Sequence, residues 1–200
     1  MARLSCEKCK RPKTVCYCHL IKVVENHWPV YIVQHFEESR HAIGTAKIAE
    51  LSLKSCKTHV LEEEQIFKAL NEHDQSNNDI VPTLIYPGES SVSLKQLRRA
   101  GQGKLIFIDG SWRKSRKIFY ESAYLQSLPR YGFSLETKSR YKIRKEPKEG
   151  YCSTLEAIIY MLATLENDAN KYSNLLEIMD WMIERQLEFI GNETFNKNYR

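Results

Sequence analysis

Four of the six cysteines lie close together near the amino terminus, in a C-x2-C-x6-C-x-C array formed by Cys6, Cys9, Cys16 and Cys18. In a cytosolic chain such an array favours a metal site over two disulfides. Four thiolates complete the tetrahedral coordination of zinc and leave no open position, so the site would be structural. The C-x-C pair is tighter than the usual C-x2-C pair, and His19 beside it stays an alternative ligand.

Unusual residues follow three short apolar segments that are predicted to be strands. They are Gln34 and His35, then Pro87, Gly88 and Glu89, and then Asp109. The carboxyl ends of parallel strands are where ligands bind in α/β sheets. Asp109 directly follows the most apolar segment. Burial of a carboxylate costs free energy, so such a residue is expected to have a partner or a function. Two interpretations stay open for it: a catalytic acid, or a helix cap formed by Asp109 or Ser111.

Positive charge is concentrated in the middle of the chain. From Arg98 to Lys148 there are 14 basic and 4 acidic residues, against 16 basic and 21 acidic elsewhere. A basic middle on a slightly acidic body is typical of proteins that bind polyanions such as nucleic acid. If 139–145 is extended, Arg140, Lys142 and Arg144 share one side and could hold phosphates. The alternative is a charged sheet edge that discourages aggregation.

The elements that position these residues are predicted from hydrophobic periodicity. Strands are expected at 29–33, 58–61, 81–86 and 104–108, and helices at 42–53, 91–100, 112–121, from residue 153 onwards and at 175–190. Ser153 and Glu156 form a capping box, and the free amides of that helix start are a second candidate anion site. Alternating strands and helices predict an α/β fold with a largely parallel sheet.

Length and composition agree with this fold. A chain of 200 residues with 42% hydrophobic and 28% charged residues suits one globular domain with a small accessory element. We expect a zinc-binding element at 1–27 and a catalytic domain at 28–200. No apolar run approaches the ~18 residues of a membrane helix, and 1–9 resembles no signal peptide, so we expect a cytoplasmic protein without a membrane partner. Phosphate-loop and dinucleotide fingerprints are absent.

Taken together, the motifs resemble those of the DTW-domain family. Asp109-Gly-Ser-Trp112 is similar to its Asp-Gly-Thr-Trp signature. The other matching blocks, in order, are 34–38, 40–45, 84–89, 128–130, 139–144 and 153–157, and the cysteine array belongs to the same pattern. The resemblance covers the chain from Cys6 to about Leu165. Three residues depart from the pattern: Ser111 for Thr, Phe36 for Pro and Gly44 for Asn.

The resemblance implies an RNA aminocarboxypropyltransferase with a SPOUT-like fold, a parallel sheet with a trefoil knot. Such enzymes move the 3-amino-3-carboxypropyl group of S-adenosylmethionine to N3 of a tRNA uridine and release 5'-methylthioadenosine. Asp109 would be the general base or a ligand of the cofactor, and Ser111 and Trp112 would position it or the uracil. The residues assigned to the cofactor are Gln34, His35, Pro87, Gly88, Glu89, Asp109, Ser153, Thr154 and Glu156. Those assigned to RNA phosphates are Arg113, Arg140, Lys142 and Arg144.

Two alternatives use the same residues. A SPOUT-like RNA methyltransferase would release S-adenosylhomocysteine instead of 5'-methylthioadenosine. A zinc-stabilised RNA-binding adapter would use the cysteine array and the basic middle without catalysis, but it would have no need of a desolvated Asp109. The tRNA, the uridine and the choice between monomer and homodimer stay open.

Overall fold

The computed structural model describes residues 4–40, 44–60, 82–99, 101, 103–133, 139–141 and 152–190. The chain divides into two compact units. We call them the helical unit, which comprises residues 1–24, 42–54 and 135–200, and the sheet unit, which comprises residues 25–41 and 55–134. The predicted division into residues 1–27 and 28–200 stays a prediction.

The sheet unit is built on a sheet whose strands are all parallel. They are β1 (Val30–Gln34), β2 (Cys56–Val60), β3 (Thr83–Ile85), β4 (Leu105–Asp109) and β5 (Arg130–Tyr131), and the order is β2-β1-β4-β3-β5. This confirms the predicted largely parallel α/β sheet. The most apolar strand, β4, is therefore the central strand.

The two central strands, β1 and β4, are buried along their whole length. Such continuous burial explains why their sequences read as apolar runs rather than as alternating patterns. In the core of the sheet unit, Tyr31 and Val33 are in register with Ile106 and Ile108. Phe119 packs on this cluster from a helix that follows β4. The cluster fixes the strand ends that carry the polar residues.

Six α-helices are described. They are α1 (Ala46–Ser52), α2 (Leu94–Arg99), α3 (Trp112–Glu121), α4 (Ala123–Ser127), α5 (Thr154–Glu166) and α6 (Ser173–Ile190), with short 3-10 turns at Lys13–Val15, Cys18–Leu20 and Glu38–Arg40. The predicted helices are confirmed with boundaries shifted by a few residues. Neither α4 nor β5 is predicted by periodicity, since each is too short to show a repeat.

In the helical unit, α1 packs against α5 and α6, and α5 packs against α6. The predicted apolar face of α5 is buried, including Leu155, Ile158, Ile159, Leu162 and Leu165. The capping box of Ser153 and Glu156 is present, and the helix ends at Asn167 in the left-handed conformation. No helix within the described ranges combines the length and apolarity needed to cross a membrane.

Candidate active site and metal centre

Asp109 and Gln34 form a buried pair at the carboxyl ends of two adjacent strands. The register of β1 and β4 places them opposite each other, and Gln34 Nε2 donates a hydrogen bond to Asp109 Oδ2 at 2.8 Å. Asp109 is 6% exposed and Gln34 is 7% exposed. The amide partner explains how the carboxylate is accommodated in the sheet, because buried polar groups are stable when hydrogen-bonded. The pair holds an acid in one orientation at the end of the central strand.

The helix that follows Asp109 is capped by another residue. Ser111 has extended backbone geometry and its Oγ accepts a hydrogen bond from the Lys114 N–H at 3.4 Å, so Ser111 is the N-cap of α3. Of the two predicted capping residues, the structure thus uses Ser111. Trp112 is the first residue of α3 and is half-buried. The Asp109 side chain accepts a hydrogen bond from Gln34.

The segment after β1 is tied to α3 by a lysine that the sequence interpretation missed. Lys114 Nζ lies 2.8 Å from Glu37 Oε2 and 2.9 Å from Glu38 Oε1. The lysine lowers the pKa of Glu37, and that carboxylate in turn raises the pKa of Lys114. Between the two segments, the His35 N–H donates to the Asp109 carbonyl at 3.1 Å. These contacts fix the backbone on one side of Asp109.

The Pro87-Gly88-Glu89 turn is packed closely against the end of β5. Gly88 has φ +121°, and a Cβ added at Gly132 would lie 2.5 Å from the Gly88 carbonyl oxygen, so glycine is required at both positions. Arg130 Nε donates to the Glu89 carbonyl at 3.0 Å. Ser90 Oγ donates to the Gly132 carbonyl and accepts from its N–H. Arg130 and Gly132 were not assigned a role from the sequence, because close backbone approach between distant segments leaves no local pattern.

The start of α5, in the helical unit, is occupied by its own capping groups. The Glu156 carboxylate accepts hydrogen bonds from the Ser139 hydroxyl at 2.7 Å, the Arg140 N–H at 2.6 Å and the Ser153 N–H at 2.7 Å. Ser153 Oγ accepts from the Glu156 N–H at 3.3 Å. Glu156 is therefore an internal anchor for residues 139–140. Thr154, the first residue of α5, is half-buried.

The predicted RNA-binding residues have different environments. Arg140 forms an ion pair with Asp180 on α6. Arg113 is exposed on α3. Lys142 and Arg144, on which the predicted one-sided row also depends, lie outside the described residues. Of this group, only Arg113 has a described side chain without an ion pair to a described residue.

The four cysteines of the array come together in the helical unit. The Sγ atoms of Cys6, Cys9, Cys16 and Cys18 lie within 4.8 Å of one another, and the Cys6–Cys18 and Cys9–Cys16 pairs are each 3.7 Å apart. Tetrahedral zinc with Zn–S bonds of about 2.3 Å requires S–S separations of about 3.8 Å. The cluster therefore has the spacing of a four-thiolate metal site. His19 is not part of it, and its ring packs edge-on against Trp181.

The surroundings of the cysteine cluster also fit a metal with four thiolates. Hydrogen bonds from the backbone of Cys9 and Lys8 lower the pKa of Cys6 to about 6, while burial raises that of Cys9. Arg11 is 5% exposed, and its buried Nε and Nη1 have no hydrogen-bond partner. A buried guanidinium needs a counter-charge. A divalent ion bound by four thiolates has a net charge of minus two. Such a site next to Arg11 would therefore supply the counter-charge that the guanidinium needs.

The fold and these residues define an α/β protein with a buried strand-end acid and a cysteine cluster, and comparison with known proteins assigns its family. The DTW domain matches residues 3–187, so the chain belongs to the DTW-domain family. No solved structure matches it significantly.

Curated relatives from fly, mouse and plant are all named as tRNA-uridine aminocarboxypropyltransferases. The chain is 33% identical over 193 residues to "tRNA-uridine aminocarboxypropyltransferase 2" of Drosophila melanogaster. The aligned region covers 93% of this chain and 76% of the fly protein. It is 25% identical over 209 residues to the protein of that name in Mus musculus, and the aligned region covers 98% of this chain and 68% of the mouse protein. It is 20% identical over 219 residues to "tRNA-uridine aminocarboxypropyltransferase A" of Arabidopsis thaliana, and the aligned region covers 94% of this chain and 83% of the plant protein. The chain is thus an enzyme of this transferase family.

Proposed function

We propose that this protein transfers the 3-amino-3-carboxypropyl group of S-adenosylmethionine to N3 of a uridine in tRNA and releases 5'-methylthioadenosine. The observation that carries the proposal is the buried Asp109 carboxylate, held by Gln34 at the end of the central strand. The names of the curated relatives support aminocarboxypropyl transfer to tRNA uridine. The SPOUT-like knotted topology, the cytoplasmic location and the division at residue 27 belong to the same proposal.

The chemistry requires a base close to the nucleophile. Uridine N3 carries a proton and becomes a good nucleophile only as that proton leaves. Bound S-adenosylmethionine supplies a methylene beside its sulfonium, whose C–S bond breaks as the N3–C bond forms and leaves a neutral thioether. Asp109 accepts the N3 proton as general base, so charge balances over the step. Gln34 keeps the accepting carboxylate in one orientation during the transfer.

The residues around Asp109 bind and orient the uracil and the cofactor. Trp112 offers a ring on which an unstacked uracil can lie, since a base must leave its stack to expose N3 to an enzyme. Ser111 fixes the start of α3 and with it the position of Trp112. Within the sheet unit, Gln34, His35, Pro87, Gly88 and Glu89 are the proposed cofactor residues.

In the helical unit, the proposed cofactor residues are Ser153, Thr154 and Glu156. The contacts of Glu156 give it a positioning role, because its carboxylate already accepts three hydrogen bonds from the protein. Zinc is the metal proposed for the four cysteines, and it would stabilise the amino-terminal element rather than act on substrate, because four thiolates leave no open position.

One substitution tests the role of Asp109. Asp109→Asn keeps an oxygen that can accept from Gln34, so the fold should persist while proton acceptance is lost. A positioned general base contributes 10²–10⁴-fold, so the single-turnover rate should fall by about that factor while both substrates still bind. Asp168→Asn, at an exposed acid outside the sheet unit, is the matched control.

The outcomes separate the alternatives. Near-normal turnover of Asp109→Asn would eliminate Asp109 as base. A primary loss of S-adenosylmethionine affinity would make it a ligand of the donor's ammonium group, because a charge-assisted hydrogen bond would be lost. The released nucleoside should be 5'-methylthioadenosine with the wild-type protein. Formation of S-adenosylhomocysteine would instead identify a methyltransferase and refute the proposal.

A further inference from the structure

The outer face of α3 carries a row of cations that ends in an exposed tyrosine. Arg113, Arg116, Lys117 and Tyr120 are all exposed, and their spacing of i, i+3, i+4 and i+7 places them on one face of the helix. The opposite face, with Ser115 and Phe119, is buried against the sheet. At 1.5 Å per residue the row is about 10 Å long.

The charges of this row are available to a ligand. No ion pair joins Arg113 or Arg116 to any residue within the described ranges, and Lys117 has only a long contact of 3.8 Å with Glu121. Lys114 lies off the row and is already held by Glu37 and Glu38. Arg113 lies near enough to Glu37 to help lower the pKa of that carboxylate, so part of its charge is offset. The row still carries a net positive charge, which is the electrostatic complement of a polyanion.

Tyr120 adds an aromatic surface to the cations. Its side chain is 67% exposed, and its ring meets Phe119 edge-on with centroids 5.3 Å apart, so a ring face remains open to solvent. Cations beside an exposed aromatic ring are the combination that binds unpaired nucleotides, since the cations hold phosphates and the ring stacks on a base.

We propose that the row Arg113–Arg116–Lys117–Tyr120 is a docking surface for RNA, in which the three cations hold successive phosphates and Tyr120 stacks on an unpaired base. The proposal rests on the proposed tRNA substrate and assigns its docking to α3 rather than to the predicted row that begins at Arg140. Arg140 is already paired with Asp180, so an RNA phosphate would have to compete with a carboxylate there.

The test compares two double variants that remove the same charge. Arg113→Ala/Arg116→Ala removes two cations of the row, and Lys95→Ala/Arg99→Ala removes two exposed cations of α2 in the same sheet unit. Affinity for unmodified tRNA is measured by fluorescence anisotropy at several salt concentrations. Loss of two phosphate contacts should flatten the slope of log affinity against log salt by about 1.5 for the row variant and leave the α2 variant unchanged.

Tyr120 is tested by a pair of substitutions. Tyr120→Ala should weaken tRNA binding by about 5- to 150-fold through the lost stacking, while Tyr120→Phe should bind as wild type because it keeps the ring. Affinity for S-adenosylmethionine should be unchanged in all four variants. Thermal unfolding of each variant checks that the fold is kept.

The results distinguish this surface from the proposed reaction. Equal losses of tRNA affinity in the α2 and row variants would mean that the row contributes only unspecific electrostatic attraction, which would refute the proposed docking surface. Unchanged tRNA affinity in the row variant would refute it as well. Binding of an acidic protein with the same dependence on Arg113 and Arg116, and no binding of tRNA, would assign the surface to another partner. A wild-type protein that binds tRNA through α3 but forms no aminocarboxypropyl uridine would refute the proposed reaction and leave the surface standing.

Discussion

Replacing Glu156 with alanine should destabilise the helical unit strongly. The carboxylate is 6% exposed and accepts hydrogen bonds from the Ser139 hydroxyl, the Arg140 N–H and the Ser153 N–H. Each hydrogen bond to a charged acceptor contributes about 1.5–3 kcal/mol. Ser139 and Arg140 are partly accessible and can bond to water after the substitution, but the Ser153 N–H stays buried. We therefore expect a net loss of about 3 kcal/mol in the free energy of unfolding.

Urea unfolding followed by circular dichroism measures this loss. With a slope of about 2 kcal/mol per molar urea, Glu156→Ala should lower the midpoint by about 1.5 M. Glu156→Gln keeps the shape and one acceptor oxygen and should lose about half as much. Ser139→Ala removes a hydroxyl that donates to Glu156 and accepts from the Tyr141 N–H, and because this hydroxyl is partly accessible to water the loss should be about 1 kcal/mol.

The same variants decide between an anchor and a ligand of the cofactor. An anchor predicts that stability falls in the order Ser139→Ala, Glu156→Gln, Glu156→Ala, and that any loss of S-adenosylmethionine affinity is small in the folded protein. If Glu156→Ala unfolds within about 0.5 kcal/mol of wild type and loses cofactor affinity instead, the reasoning from the three hydrogen bonds is wrong.

Two further predictions concern the cysteine cluster and the Gly88 turn. Protein made without a His tag should contain about one zinc per chain by metal analysis, and Cys6→Ser/Cys16→Ser should lose it; retained zinc would refute the four-cysteine site. Gly132→Ala forces its Cβ to 2.5 Å from the Gly88 carbonyl, so the turn must move, and calorimetric titration should show weaker binding of S-adenosylmethionine. Unchanged binding would remove the Gly88 turn from the cofactor site.

Local patterns in the sequence predicted the elements whose signals lie within a few residues. The apolar run before Asp109 predicted β4, and the spacing of Ser153 and Glu156 predicted both the start of α5 and its capping box. These signals work because strand burial and helix capping are decided by neighbouring residues.

The contacts between distant segments could not be predicted in the same way. The hydrogen bond between Gln34 and Asp109 joins residues 75 positions apart and depends on strand order and register, which periodicity does not encode. The ion pairs of Lys114 with the segment after β1 depend on the same register. The sequence therefore identified Asp109 as a candidate, but the structure was needed to show what holds it.

The link between β4 and α3 is only two residues long, and this makes chain length itself a determinant of the site. Gly110 and Ser111 connect Asp109, the last residue of the strand, to Trp112, the first residue of the helix. One inserted residue here would turn the helix by about 100° relative to the strand and bring the buried face of Phe119 towards solvent. Loop grafting in this enzyme should therefore leave the Asp109–Trp112 spacing unchanged.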